Sequence, residues 1–423
     1  MKQIVASLFL IISLSSCEIF AENSSQQNKI FKIENELYYN YQNDQDAAQR
    51  MSIGENNELY IIGWHSKPGL ISSWICKKYN NEKIEDLAFF ETFSSNIDFI
   101  GEPYSMTITE NDDLYICGRG MNLVSDESGN DALLMKFDNN GDIDPNFQSV
   151  IINGQNGYDT ASGVVVDRSG DIYLVGYAEN KQTGSSQQDM FINKYNSKGI
   201  EITKGWAKTI DILNNRDFIM GAALDNSDKL ITFGMTIGDP FSESYCIIQK
   251  YEKDGTLINN WNKKFKINNG FPQPMDMKID VDNNVYIVGS GSNLKHENSG
   301  SDIWIQSYDQ NGLLRFEYII DENRDEYGKS IFLKDDLIYI GGDSSFLENN
   351  EKNNFIIRAI NSKGEIDYPA PDSYFDNNQE FDWLNQISFD NNGNLVVIGS
   401  SRNSISENSG DDWHIIHLEK PDV

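Results

Sequence analysis

Seven copies of one strand-forming pattern, their spacing of 53 to 58 residues, and an incomplete copy at each end of the array predict an all-β fold, a seven-bladed β-propeller. The copies end in glycine: NELYIIG to Gly63, DDLYICG to Gly118, GDIYLVG to Gly176, DKLITFG to Gly234, NNVYIVG to Gly289, DLIYIGG to Gly342 and GNLVVIG to Gly399. Each is followed by a second alternating segment: SWICKKYNNEK, DALLMKFDNNGD, DMFINKYNSKG, YCIIQKYEKDG, DIWIQSYDQNG, NFIIRAINSKG and DWHIIHLEK. Most of these end on Asn, Asp and Gly, the chemistry of a strand that runs into a hairpin.

Repeat three shows the whole unit in order. Strand A reads SGVVVD, Arg168-Ser169-Gly170 turns it into strand B (DIYLVGY), a polar loop leads to strand C (DMFINKY), and Gly199 turns into strand D (EITKGWAKTI). Four antiparallel strands per repeat make one propeller blade. The last copy stops after strand C, while a spare strand lies within Phe31 to Tyr41. Together they predict a final blade of 3+1 strands, four-stranded like the others, which closes the ring without an exposed edge.

Composition is compatible with this. The chain has 423 residues, 39% hydrophobic and 12% aromatic, enough for a sizeable core. Against 65 Asp and Glu stand only 34 Lys and Arg, a net charge of −31. Such a surface has no footprint for phosphate backbones, so nucleic acid is excluded as a partner.

The N-terminus reads as an address. Lys2 precedes an apolar run from Ile4 to Leu14, which as a helix covers about 16 Å, half a bilayer core and the size of a signal-peptide segment. Residues 1–16 are expected to be a signal peptide, 17–28 a polar tether, and 29–423 the propeller. Leu14-Ser15-Ser16-Cys17 resembles the lipobox of bacterial lipoproteins. That resemblance implies lipid on Cys17 and a place in the cell envelope, anchored to the outer membrane. More than one acyl chain there makes membrane binding persistent.

The blade motif itself, an Asp before strand A, then DxxGxxYxxG, a polar loop and DxxxxKY, resembles the SBBP (seven-bladed β-propeller) repeat of bacterial envelope and secreted proteins. The resemblance covers nearly the whole chain after Cys17. Repeat six departs at Ala359-Ile360, where others have Lys-Tyr, and repeat five lacks the leading Asp.

Strand direction places A–B and C–D turns on one rim and B–C and D–A connections on the other. The second rim carries long polar loops, such as RGMNLVSDESGN and SNLKHENSGS, and is the expected working face. Two recurrent acidic sets lie on it. Asp46, Asp159, Asp217, Asp325 and Asp382 each fall 17 residues before their Gly, with Asp98 offset by three residues and Pro272 in blade five. Asp131, Asp189, Asp302 and Asp412 open strand C, where Ser73, Tyr245 and Asn354 stand in the other blades. We read both sets as local backbone caps. The alternative is an acidic ring that attracts cations or a basic partner.

Chemistry is otherwise sparse. Asp138 to Asp142 fails as an EF-hand because Ile143 and Ser149 stand where Gly and Glu are needed. His65 and His296 are expected in solvated B–C loops, and His414 and His417 on opposite faces of a strand, so no metal site is expected. Cys76, Cys117 and Cys246 are expected as buried free thiols. Phe90, Phe147, Trp206, Trp261 and Phe316 are expected to pack blades together. No GxSxG and no sialidase box occurs, and no cofactor is expected. The sequence points to a monomeric, lipid-anchored propeller that binds a protein or glycan through its B–C/D–A rim. A carbohydrate lyase or hydrolase working in the central channel, or an envelope-assembly scaffold, is the alternative.

Overall fold

The computed structural model describes residues 32–40, 45–66, 72–154, 157–179, 188–212, 215–238, 244–268, 270–296, 299–321, 324–345, 354–361, 382–402 and 410–419. Seven antiparallel sheets follow one another along the chain, one per repeat. Blade one has strands A to C at Gln45–Ile53, Leu59–Ser66 and Ser73–Tyr79. Blade two runs Gly101–Ile108, Leu114–Met121, Asn130–Phe137 and Val150–Ile152. Blade three runs Thr160–Val166, Ile172–Glu179, Gln188–Tyr195 and Lys208–Ile210. Blade four runs Arg216–Leu224, Leu230–Ile237, Ser244–Tyr251 and Lys263–Phe265, and blade five Phe271–Ile279, Val285–Ser292, Ser301–Tyr308 and Leu314–Ile320. Blade six has Asp325–Lys334, Leu337–Ser345 and Asn354–Asn361. Blade seven has Asp382–Phe389, Leu395–Arg402 and Asp411–Glu419, and its fourth strand is Lys32–Tyr39. Leu37 lies opposite Ile415 in that last antiparallel pair, so the chain closes as 3+1.

Blade one departs from the four-stranded plan. Its fourth place is taken by helix α1 (Leu87–Ser95), which starts where the Asp86 carboxylate accepts the Phe89 N–H at 3.1 Å. Phe89 and Phe93, four residues apart and so on one face, are buried against Tyr60 and Phe137. Phe90 therefore lies on a helix and not at the end of a strand. Its ring sits 4.5 Å from Lys77 Nζ, which also lies 3.5 Å from the Tyr39 ring and so ties the closing strand to blade one.

The core is distributed between blades. Seven buried clusters occupy the seven interfaces, and alternate residues of each strand B serve opposite neighbours: Leu59 and Ile61 face blade seven, Tyr60 and Ile62 face blade two. Burial on both faces is why these strands read as continuous apolar runs.

A single geometric demand explains the invariant glycine. Every strand A carries a bulge, at Gln49, Tyr104, Ser162, Met220, Met275, Lys329 and Asn385. The bend pushes a strand A carbonyl toward strand B, so a Cβ on Gly176 would sit 2.0 Å from Thr160 O, and the other six anchors meet the same obstacle at 1.9 to 2.1 Å.

The recurring Lys of strand C also has a physical role. Lys136 binds Asp113 and Asp144 at 2.9 and 2.8 Å, Lys194 binds Asp171 at 2.9 Å, and Lys250 binds Asp225 at 2.8 Å, so each clamps an adjoining turn. Blade six has Ala359 there, and its A–B connection is a tight turn with Asp335 and Asp336 both at positive φ. That connection is one residue shorter than its counterparts: four residues lie between the paired Leu333 and Ile338, where five lie between Ile53 and Leu59.

Candidate functional site

The B–C/D–A rim brings the predicted acids to the junctions between blades, and not as an open ring. Asp46, Asp159, Asp217 and Asp382 are buried at the start of strand A, and Asp131, Asp189, Asp302 and Asp412 are buried at the start of strand C. Two positions shift. Asp98 is exposed and lies before strand A, whose matching place is Gly101; the tight turn of blade six moves Glu326, fully buried, into the place expected for Asp325. Asp325 instead accepts the Ser301 N–H at 2.8 Å.

Several of these carboxylates accept nearby backbone donors. Asp159 takes Gly154 N at 2.5 Å and Glu179 N at 2.8 Å; Asp131 takes Leu123 N and Ser128 Oγ, both at 2.7 Å. Asp217 takes Ile212 N at 2.5 Å. Burial pushes Asp159 up to about 6 and Asp217 up to about 7, with the charges of Asp131 and Glu179, and of Asp211 and Asp189, adding to the effect. Asp302 is raised by burial too.

Across two junctions three acids converge. One carboxylate oxygen from each of Asp189, Asp211 and Asp217 lies within 4.8 Å of the others, and the same holds for Asp302, Asp321 and Glu326. Each set takes one residue from strand C, one from the end of strand D and one from strand A of the next blade.

The same rim holds a cluster of residues that no other blade repeats. At the start of strand A in blade two, Glu102 accepts Arg119 Nη2 at 2.8 Å and the Tyr104 hydroxyl at 2.6 Å. The Arg119 guanidinium lies 5.5 Å from the Tyr158 ring, which is 54% exposed. In the next blades Tyr177 packs edge-on against Phe218 at 4.8 Å, with Arg216 above Phe218 at 5.5 Å. Burial and the neighbouring Glu102 push the Tyr104 phenol up, so it keeps its proton at any physiological pH. Repeat averaging hides this cluster. Its signal is that positions such as Glu102, Thr160, Phe218 and Trp383, equivalent in the seven copies, differ completely.

The inner strands enclose a cavity of about 410 Å³ along the ring axis. Its lining residues are methionines, glycines and aliphatics together with polar ones such as Ser105, Ser162 and Gln386, with Arg50, Asp276, Lys278 and Lys329 as the charges. Asp276 is committed to structure: it accepts Ile331 N at 3.0 Å and lies 3.3 Å from both Ser330 Oγ and Lys278 Nζ.

The histidines differ from expectation in one respect. His65 lies within strand B, opposite Asp46, rather than in a loop. His296 is exposed, and His414 and His417 are buried in strand C of blade seven. Cys17 and much of the long loops, including residues 67–71, 180–187, 346–353 and 403–409, lie outside the described residues.

No protein-family model matches the sequence, and no curated protein is significantly similar to it. Solved structures similar in shape include an ulvan lyase, a polysaccharide lyase bound to a saccharide, at a TM-score of 0.51 and 10% identity over 91% of this chain and 94% of that one. A periplasmic gluconolactonase of Pseudomonas aeruginosa gives 0.52 and 9% over 91% and 98%, and a protein of unknown function from Dyadobacter fermentans gives 0.50 and 9% over 92% and 99%. At such identities the likeness is one of fold, and it shows the same architecture that the seven sheets show: an all-β, seven-bladed propeller.

Proposed function

We propose that this chain is a lipid-anchored envelope propeller that binds a glycan on its B–C/D–A rim, at the Arg119–Tyr158 cluster. The observation that carries the reading is an exposed Tyr158 ring beside a paired Arg119 and Glu102. The ring offers an apolar face to the C–H face of a sugar, and the ion pair presents donors and acceptor side by side for neighbouring hydroxyls. Because the pair is neutral and the chain carries −31, a weakly charged glycan suits it better than a polyanion. Anchoring rests on the Cys17 motif: Cys17→Ala should leave the protein unprocessed or release it from membranes, and retained fatty-acid label in that variant would refute it.

The cluster favours binding over chemistry. Tyr104 holds its proton, and Glu102 Oε2 is taken by both the Tyr104 hydroxyl and Arg119, an arrangement that suits holding a ligand better than the proton abstraction a lyase needs. Affinity electrophoresis of the full chain through gels containing neutral and acidic polysaccharides tests the reading. Retardation by a neutral glycan, lost in Tyr158→Ala and Arg119→Met, supports it. Release of unsaturated or reducing ends from any of these polymers would favour the enzyme instead, and unaltered retardation in both variants would place binding elsewhere.

A further inference from the structure

We propose that the junction between blades three and four, and that between blades five and six, each bind one hard divalent cation of the Ca²⁺ class. The donor sets are Asp189, Asp211 and Asp217 in the first and Asp302, Asp321 and Glu326 in the second. Bonds of about 2.3–2.6 Å place any two oxygens on one Ca²⁺ no more than about 5 Å apart. Both sets meet that limit, with one oxygen from each acid within 4.8 Å of the others. The donors are all oxygen, which selects a hard cation and not zinc.

Burial makes the case stronger than proximity does. Asp217 and Asp302 are 0% exposed. Each uses one carboxylate oxygen on a protein donor, Ile212 N and Ser299 Oγ, and each leaves Oδ1 buried with no hydrogen bond. Thr236, opposite Asp217 in the ladder and also 0% exposed, turns its hydroxyl toward the Asp217 carboxylate. A buried carboxylate oxygen without a partner is costly; Asp131 Oδ1 shares that fault where two acids meet, and at the two junctions where three acids converge the accumulated charge calls for something positive.

The other five junctions each lack at least one of the three acids. Where strand C opens with Ser73 or Tyr245, the next strand A has Gly101 or Pro272, and where it opens with Asn354 the next strand A keeps Asp382 alone. The junction from blade seven to blade one keeps Asp412 and Asp46, but the end of its fourth strand supplies Asn40, whose amide donates to Asp412. The junction from blade two to blade three has Asn153 in that place. The two proposed sites have Asp211 and Asp321 instead, acceptors where their sisters have amides. Lys295 and His296 approach Asp321 at 3.3 and 3.9 Å from solvent-exposed positions.

The test is calorimetric titration of the chelator-treated full chain with CaCl₂, with melting curves at each concentration. The expected result is one ion per junction, two in all, with a rise in melting temperature and weaker binding of Mg²⁺. Asp217→Asn and Asp302→Asn should each remove one ion, and Asp159→Asn should remove none. Thr236→Val, which keeps the volume, should weaken one site several-fold while leaving the fold intact, and so keeps the test valid if an Asp variant does not fold. Absence of heat and of any change in melting temperature up to about 10 mM Ca²⁺, or a stoichiometry that neither Asp variant alters, would overturn the proposal.

Discussion

Gln386 Oε1 accepts the backbone N–H of Met51 at 2.6 Å, joining strand A of the last blade to strand A of the first across 335 residues of chain. The innermost strand of every blade is a sheet edge, and its free N–H groups face the channel. The residue after the bulge supplies the missing acceptor to the next blade: Ser105 to Val164 N at 3.4 Å, Asp276 to Ile331 N at 3.0 Å and Ser330 to Ile387 N at 3.1 Å. Gln386→Leu should leave the Met51 N–H unsatisfied and lower stability by about 1–3 kcal/mol. Denaturant unfolding measures it, and a loss below about 0.5 kcal/mol would mean that water fills the place.

Asp159 makes stability depend on pH. Its folded pKa of about 6 lies above the ordinary 3.8, so the folded state holds the proton more tightly than the unfolded chain does. The contribution is therefore complete below the unfolded value and is lost as pH rises through about 6, a fall of about 1–3 kcal/mol. Asp159→Asn cannot titrate and should gain on the wild type between pH 4.5 and 7.5 in melting experiments. A difference between the two proteins that stays constant with pH would contradict this.

Gly141 and Gly170 occupy similar turns with φ of +89° and +83°, yet they should respond differently to alanine. A Cβ at Gly170 meets nothing closer than 3.9 Å, so only the left-handed backbone resists, at about 1–2 kcal/mol. At Gly141 it would lie 2.8 Å from Phe89 O and 3.0 Å from Phe93 N, against the backbone of α1. Gly141→Ala should therefore cost about 2–4 kcal/mol, the strain plus displacement of the helix. Equal losses in the two variants would show that α1 docks loosely.

Cys76, Cys117 and Cys246 are all 0% exposed, and burial pushes each thiol up. In a Cys17→Ser chain, a thiol reagent at neutral pH should find nothing in the native protein and three groups after unfolding in denaturant. A fast native reaction would mean that one of the blade interfaces opens.

The ring was legible because its rule is local: a glycine opposite a bulge and apolar residues on both faces of strand B recur in every copy. Helix α1 was hidden by that same rule, since the repeat suggested a strand, although Phe89 and Phe93 already lay at helical spacing. Glu326 was missed because counting back from Gly342 assumes a hairpin of constant length, and Asp335-Asp336 removes one residue. Contacts such as Ser330 to Ile387 leave no local trace, because each joins residues 57 positions apart and starts just after a bulge that breaks the alternation. The acids were visible as two separate sets. That they meet across junctions requires knowing which strand C faces which strand A.

Closure through Lys32–Tyr39 sets an order on how this protein comes into being. Within the ring, Lys32–Tyr39 is made before the other strands, and its partner Asp411–Glu419 after them. Until those residues arrive, Leu37 and Tyr39 have no ladder, and blade one lacks the neighbour that buries Leu59 and Ile61. Contacts of such sequence separation form slowly, because a long loop must be closed before they repay its entropy. A nascent or translocating chain therefore carries an unprotected edge and half-buried blades until Asp411–Glu419 is made, the condition in which β-rich chains aggregate. Refolding should accordingly end in a slow, concerted step, and an escort that shields the waiting strand should raise the yield of folded protein without altering its final stability.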